Sequence, residues 1–286
     1  VGVRARAVTA VVVVLAVVAA LGVWLASLDL DVDLSLPRQP RCVVQADGRV
    51  ELDPTQMANA ATIAAVGVRR KVPERAVVVA LATAYQESGL ENLSGGDRDS
   101  VGLFQQRPSQ GWGTPEQISD PRYAADRFYA ALVKVRGWQG MRITEAAQAV
   151  QRSAYPEAYQ RWAEPSQVLT RALLGEATGA VACALGPDPA LRGGAATQAL
   201  AAMLARDWGR VRTSTPEVGP GLAVPAADTR TGWRYAHWLV AHAERHGVKR
   251  VRYGTLEWSA EQGTWAPVTD GTPVAGRVVA EVFGEA

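Results

Sequence analysis

The reading of this chain turns on Ala84-Tyr85-Gln86-Glu87-Ser88-Gly89-Leu90, followed by Gly102-Leu103-Phe104-Gln105. Upstream, Pro73 suits the first turn of a helix and Glu74 complements its positive end. Ala76, Ala80, Thr83 and Glu87 then recur at spacings of four, three and four, which places them on one helical face. Val77, Val78, Val79 and Leu81 make the segment apolar almost all round, which predicts a buried helix, and Gly89 is a C-terminal stop. Glu87 therefore closes an apolar stripe in the last turn, where desolvation and the helix dipole both favour its protonated form. A carboxyl that keeps its proton is what a general acid needs. The competing reading is a solvent-facing Glu at a helix end.

Working outward, Asn92 to Ser100 is a polar, Gly-rich loop leading to Val101-Gly102-Leu103-Phe104-Gln105-Gln106 and on to Gln110-Gly111-Trp112-Gly113. Amides suit hydroxyl and N-acetyl groups, aromatic faces suit sugar rings, and glycine lets a backbone approach closely. An ordinary Gly-rich connection has the same composition.

Glu-Ser followed by Gly-Leu-Phe-Gln resembles the soluble lytic transglycosylase and goose-type lysozyme superfamily. The longer run from Glu87-Ser88-Gly89 through Asp97-Arg98-Asp99-Ser100 to Gln110-Gly111-Trp112-Gly113 is similar to actinobacterial lysozyme-like proteins. So are Asp120-Pro121-Arg122-Tyr123-Ala124, Phe128-Tyr129 and Ala146 to Ser153. The resemblance covers about residues 50 to 180. It implies a mostly helical lysozyme-like fold, peptidoglycan as substrate, Glu87 as catalytic acid, and Ser88, Phe104 and Gln105 along the cleft. The chain departs from the family at the third motif, where Ala149-Val150-Gln151-Arg152-Ser153 stands in place of Ala-Tyr-Asn-Ala-Gly. Gln151 and Tyr155 are then substrate-binding candidates, with Tyr159 as the alternative for the missing phenol.

The implied chemistry is cleavage of the β-1,4 bond between N-acetylmuramic acid and N-acetylglucosamine. Glu87 protonates the leaving oxygen while an oxocarbenium-like centre is stabilised. A lysozyme route adds a second carboxylate, for which Asp97 and Asp99 are candidates. A transglycosylase route uses the substrate's own N-acetyl group, and Glu87 then takes the muramic C6 hydroxyl proton. The alternative function is a non-catalytic peptidoglycan-binding or envelope scaffold protein.

Ala7 to Leu28 carries no charge and is long enough for a bilayer-spanning helix, with Arg4 and Arg6 before it and Asp29, Asp31 and Asp33 after it. This predicts a single-pass cell-membrane protein with a cytoplasmic N-terminus and extracellular domains; secretion after signal cleavage is the alternative. Cys42 and Cys183, the two cysteines of the chain, bracket the lysozyme-like segment and are expected to pair in an oxidising envelope, with two buried thiols as the alternative. The formal net charge of +2 argues against a nucleic-acid partner. Nothing in the sequence calls for a cofactor, and protein partners are not specified by it.

The full expectation is an N-terminal transmembrane helix, a mainly α lysozyme-like domain and a smaller C-terminal α+β domain. Residues 1–28 form the cytoplasmic tip and anchor, 29–41 a stalk, 42–185 the lysozyme-like domain, 186–194 a linker and 195–286 the α+β domain. Helices are expected near 54–66, 73–88, 121–136, 144–152, 165–177, 195–208 and 233–246. Strands are expected at 221–224, 248–253, 257–259 and 264–268. In the last segment His242 and His246 stand four apart, a zinc-compatible spacing, but Glu244 does not follow the first His as His-Glu-x-x-His requires. Packed histidines and no metal site are therefore expected. Trp208, Trp233, Trp238, Trp258 and Trp265 read as core aromatics, with a carbohydrate platform as the alternative.

Overall fold

Asp53 starts the first described helix, α1 (Pro54–Arg69), with a reciprocal cap. Its carboxylate accepts the Gln56 N–H at 2.8 Å, and the Gln56 side chain accepts the Asp53 N–H at 3.0 Å. The computed structural model describes residues 39–153, 155, 157–217, 219–268 and 272–285. Met57 to Gly67 is buried, so α1 runs through the interior rather than along a surface. Helix α2 (Glu74–Ser88) ends at Gly89, whose φ of 65° is the left-handed stop that glycine makes inexpensive. The helices that follow are α3 (Pro115–Ile118), α4 (Pro121–Leu132), α5 (Ile143–Gln151) and α6 (Ala163–Leu173). After them come α7 (Gly193–Trp208), α8 (Thr229–Ala241) and α9 (Ala243–His246). Helix α2 packs against α5 and α6, whereas α1 contacts α2, α4, α7 and α8.

Two antiparallel sheets complete the fold. The first has the order β2 (Arg49–Leu52), β1 (Arg41–Gln45), β3 (Val181–Ala184). Asp47 and Gly48 turn β1 into β2 with positive φ, and Cys42 faces Cys183 across β1 and β3, where the expected disulfide forms. The second sheet has the order β4 (Gly221–Pro225), β8 (Val274–Val282), β5 (Val248–Gly254), β6 (Leu256–Ser259), β7 (Trp265–Pro267).

These sheets correct the expected fold class. In place of a mainly α domain followed by a smaller α+β domain, the chain from Gln39 onward is one mixed α+β unit. The physical reason is a set of buried polar ties across the segments. Trp258 Nε1 donates to Cys183 O at 3.2 Å, and Trp265 Nε1 to Val181 O at 2.7 Å. His237 Nε2 accepts the Ala180 N–H at 2.9 Å, which leaves Nδ1 to donate to Ala172 O at 2.7 Å. Burial pushes the His237 pKa down to about 4, so the ring is neutral at pH 7. The carboxylate of Asp207 on α7 is wholly buried and gathers Arg122 Nε (2.5 Å), Trp238 Nε1 (2.8 Å) and Thr62 Oγ1 (3.0 Å), tying α4, α8 and α1 to α7.

The membrane expectation is corrected as well. No helix among the described residues is long and apolar enough to cross a membrane. The longest, α1 and α7, have 16 residues each, about 24 Å at 1.5 Å per residue against a hydrocarbon core of about 30 Å. The span expected from Ala7 to Leu28 lies outside the described residues. The described residues thus supply no helix for the expected single-pass cell-membrane location or membrane partnership.

Candidate active site around Glu87

The helical period places Glu87 in the last turn of α2, half-buried. What surrounds it comes from distant segments. The Tyr159 hydroxyl donates to Glu87 Oε1 at 2.6 Å, and the amide of Gln151, the last residue of α5, is near enough to the Glu87 carboxyl to favour its ionised form. Burial raises the Glu87 pKa above its ordinary value, and these two donors pull only partly against it. Tyr159 is itself fully buried, and desolvation followed by its bond to Glu87 pushes its phenol upward, so it stays protonated and donates.

Tyr159 is held by the chain that follows it. Gln86 Oε1 accepts from Trp162 Nε1 and from Arg161 Nη2, both at 3.0 Å. The Trp162 ring stacks on Tyr85 with centroids 4.7 Å apart and an interplanar angle of 2°. The end of α2 thus grips the turn at Gln160–Trp162, and Tyr159 enters that turn beside Glu87.

The second wall is the hairpin Val101 to Gln106, closed by paired backbone bonds of 3.0 and 3.1 Å. Gly102 sits there at φ 78°, and a Cβ on it would lie 2.8 Å from Ile118 O, so both conformation and space require glycine. The Ser88 hydroxyl lies 2.8 Å from Leu103 O and 3.0 Å from Ala84 O; its single proton serves the hairpin or the helix, and the residue clasps the two. Phe104 is buried and stacks on Phe128 at 4.7 Å, while its carbonyl accepts Gln151 Nε2 at 2.7 Å. Gln105 folds back on its own loop, donating to Gly102 O at 3.1 Å and accepting from Ser100 Oγ at 3.0 Å.

The remaining candidates lie apart from the carboxyl. Tyr155 is 75% exposed, so the phenol that meets Glu87 is that of Tyr159. Asp97 is exposed and stands 3.9 Å from Arg98. Asp99 has both oxygens engaged, by Arg107 Nε at 2.7 Å and the Ser109 N–H at 2.8 Å, which hold its pKa well below the usual carboxylate range. Neither aspartate hydrogen-bonds or pairs with the Glu87 group among the described contacts.

Beside Glu87 runs a groove of about 600 Å³. Gln151 joins the two features: it lines the groove and stands near Glu87, which does not line it. The Tyr123 hydroxyl donates to the carbonyl of Trp112, a half-buried ring on the groove wall, at 3.1 Å. Trp238 and Trp258, by contrast, are fully buried core residues. His242 and His246 are buried with ring centroids 6.2 Å apart, and no group of three or more His, Cys, Asp or Glu among the described residues is placed to hold a metal ion.

No protein-family model matches this chain and no curated protein matches it, so peptidoglycan as a partner and lytic-transglycosylase activity draw no support from a relative.

Proposed function

We propose that the cleft around Glu87 cleaves a strand of β-1,4-linked N-acetylated sugars, the chemistry of a peptidoglycan glycan, with Glu87 as general acid. The observation that carries this reading is the desolvated Glu87 carboxyl, its pKa raised by burial and its orientation held by Tyr159 at 2.6 Å. The protonated carboxyl donates to the glycosidic oxygen as the C–O bond breaks. Asp99 is tied to Arg107 and Ser109 and is poorly free to attack or activate water. This favours a route in which the substrate's own N-acetyl oxygen stabilises the cationic carbon. The ionised Glu87 then takes a proton from the C6 hydroxyl, giving a 1,6-anhydro end and consuming no water.

A second reading is a glycan-binding module that does not cleave. It is favoured by the Tyr159 hydrogen bond that already engages Glu87 and by the position of the groove beside the carboxyl rather than over it. Purified protein is to be incubated with peptidoglycan sacculi and with N-acetylglucosamine oligomers, and the products separated and weighed. Anhydro ends are expected, with Glu87→Gln slower by about 10² to 10⁴-fold. Reducing ends would replace the anhydro route by hydrolysis. No products from the wild type, or equal rates in Glu87→Gln, leave the binding reading standing alone.

A further inference from the structure

The groove beside Glu87 lies where α4 packs on α5. Its floor is aliphatic: Val150 is buried, and Ala130, Ala131 and Val135 are half-buried. Its rim is cationic. Arg127 on α4, Lys134 just beyond that helix and Arg152 just beyond α5 are exposed, and no Asp or Glu is among the residues that line the groove. None of the three cations makes an ion pair among the described residues, and Arg127 reaches only the Gly111 carbonyl, at 3.4 Å. Acids close to them in the chain are engaged elsewhere: Asp126 pairs with Arg70 at 2.6 Å, and Glu145 and Glu157 pair with Arg142, both at 2.9 Å. Arg152 carries its charge at φ 55°, a left-handed helix stop where glycine is the inexpensive residue.

An aliphatic floor gains from covering by apolar side chains, and unpaired cations above it gain from carboxylates. The two large hydrophobic side chains that are exposed among the described residues both stand beside groove cations in the chain. Val133 precedes Lys134, and Tyr155 follows Arg152 by three positions. Trp112 adds a half-buried ring on the groove wall, and Trp and Arg are among the side chains that most often anchor protein interfaces. We propose that this groove is a docking surface for an acidic amphipathic helix of a partner protein. Its aliphatic stripe covers Ala130, Ala131, Val135 and Val150, and its carboxylates meet Arg127, Lys134 and Arg152. The small alanines of the floor let a helix approach closely. Arg127 and Lys134 stand seven positions apart, about 10 Å along a helix axis, which is the separation of two carboxylates seven apart on one face of the incoming helix. Glu87 does not line the groove, so this docking stands whether or not the neighbouring carboxyl cleaves a glycan.

The test measures binding to the purified protein by fluorescence anisotropy. The probe is a labelled synthetic helical peptide with a leucine stripe flanked by glutamates seven apart. Two companions change one feature each: every Glu replaced by Gln, or every Leu replaced by Ala, both of which keep helix propensity high. An unlabelled uronic acid tetramer serves as competitor. Exposed charge pairs are individually weak, so three together are expected to give about a tenfold preference for the glutamate peptide over its glutamine companion, shrinking as salt is raised. The alanine companion is expected to bind at least about tenfold more weakly than the leucine peptide. The preference for Glu over Gln is expected to collapse in Arg127→Gln/Lys134→Gln/Arg152→Gln, whose folding is checked by its thermal melt. Lys134→Glu, a single exposed change, is expected to weaken the glutamate peptide if the triple variant fails to fold. Binding is expected to be unchanged in Glu87→Gln; its loss there would place the peptide on the carboxyl and overturn the proposal. No binding of the glutamate peptide, equal binding of either companion, or full binding by Lys134→Glu overturns it as well. Displacement of the peptide by an equal concentration of the uronic acid tetramer would make the groove a site for acidic glycan and overturn the protein partner.

Discussion

At the residue scale the decisive contact is Tyr159 on Glu87. Burial favours the protonated carboxyl, whereas the phenol hydrogen bond stabilises the ionised one, so the two set the acid between them. Glu87 binds its proton more tightly in the fold than in the unfolded chain. It therefore supports folding fully at pH below its ordinary value of 4.5 and opposes folding as pH rises through its raised value. Tyr159→Phe removes the stabilisation of the ionised form and moves the Glu87 pKa further up. In a pH–rate profile of glycan cleavage, the limb on which activity falls with rising pH is expected to shift to higher pH, with kcat reduced about tenfold as the carboxyl loses its orientation. A profile that does not move would assign Tyr159 to packing alone. The sequence reading favours Tyr155 over Tyr159, and the structure places Tyr159 on Glu87; no local signal separates them, because the choice depends on how the chain between α5 and α6 returns to α2.

At the element scale the hairpin Val101 to Gln106 is the part of the site most sensitive to backbone change. Gly102→Ala places a methyl against Ile118 O in a left-handed backbone. Unfolding in urea is expected to show a loss of about 2 kcal/mol, together with slower cleavage, because the Phe104 carbonyl that holds Gln151 lies in the same turn. A stability unchanged within error would show that the turn relaxes at little cost. Element legibility followed locality. The stripe from Ala76 to Glu87 is a helical period, and α2 forms over Glu74–Ser88. Asp47-Gly48 is a hairpin signal with little pattern around it, because the strands on either side have only five and four residues. The helix expected to run to 177 stops at Leu173, and β8 has no legible strand pattern in the sequence, since Gly276 and Arg277 interrupt its alternation.

At the scale of the whole molecule, three buried histidines make the fold acid-sensitive. Desolvation pushes His237 and His246 down to about 4 and His242 well below 6.5. Each binds a proton less readily in the fold than in the unfolded chain. The stability it contributes is thus present above about pH 6.5 and lost as pH falls toward about 4. For His237, whose ring bridges Ala172 and Ala180, the loss approaches roughly 3 kcal/mol across that window. The raised carboxyls of Glu87 and Asp207 act in the opposite sense, so the informative quantity is a difference. The stability gap between wild type and His237→Phe, measured by urea unfolding at pH 7, 5.5 and 4, is expected to narrow as pH falls. A constant gap would show that His237 does not titrate in this range.

The sequence by itself determined what is local in cause. Period and capping set the helices, and a carboxyl at the end of an apolar helix is desolvated wherever that helix is buried. The facing of Cys42 and Cys183, the union of helices and two sheets in one unit, and the identity of the phenol on Glu87 were decided by tertiary structure. Each joins residues more than seventy positions apart. Such pairings follow from how buried faces and unsatisfied backbone groups find partners once the chain has collapsed, and no window of sequence contains both halves of the contact.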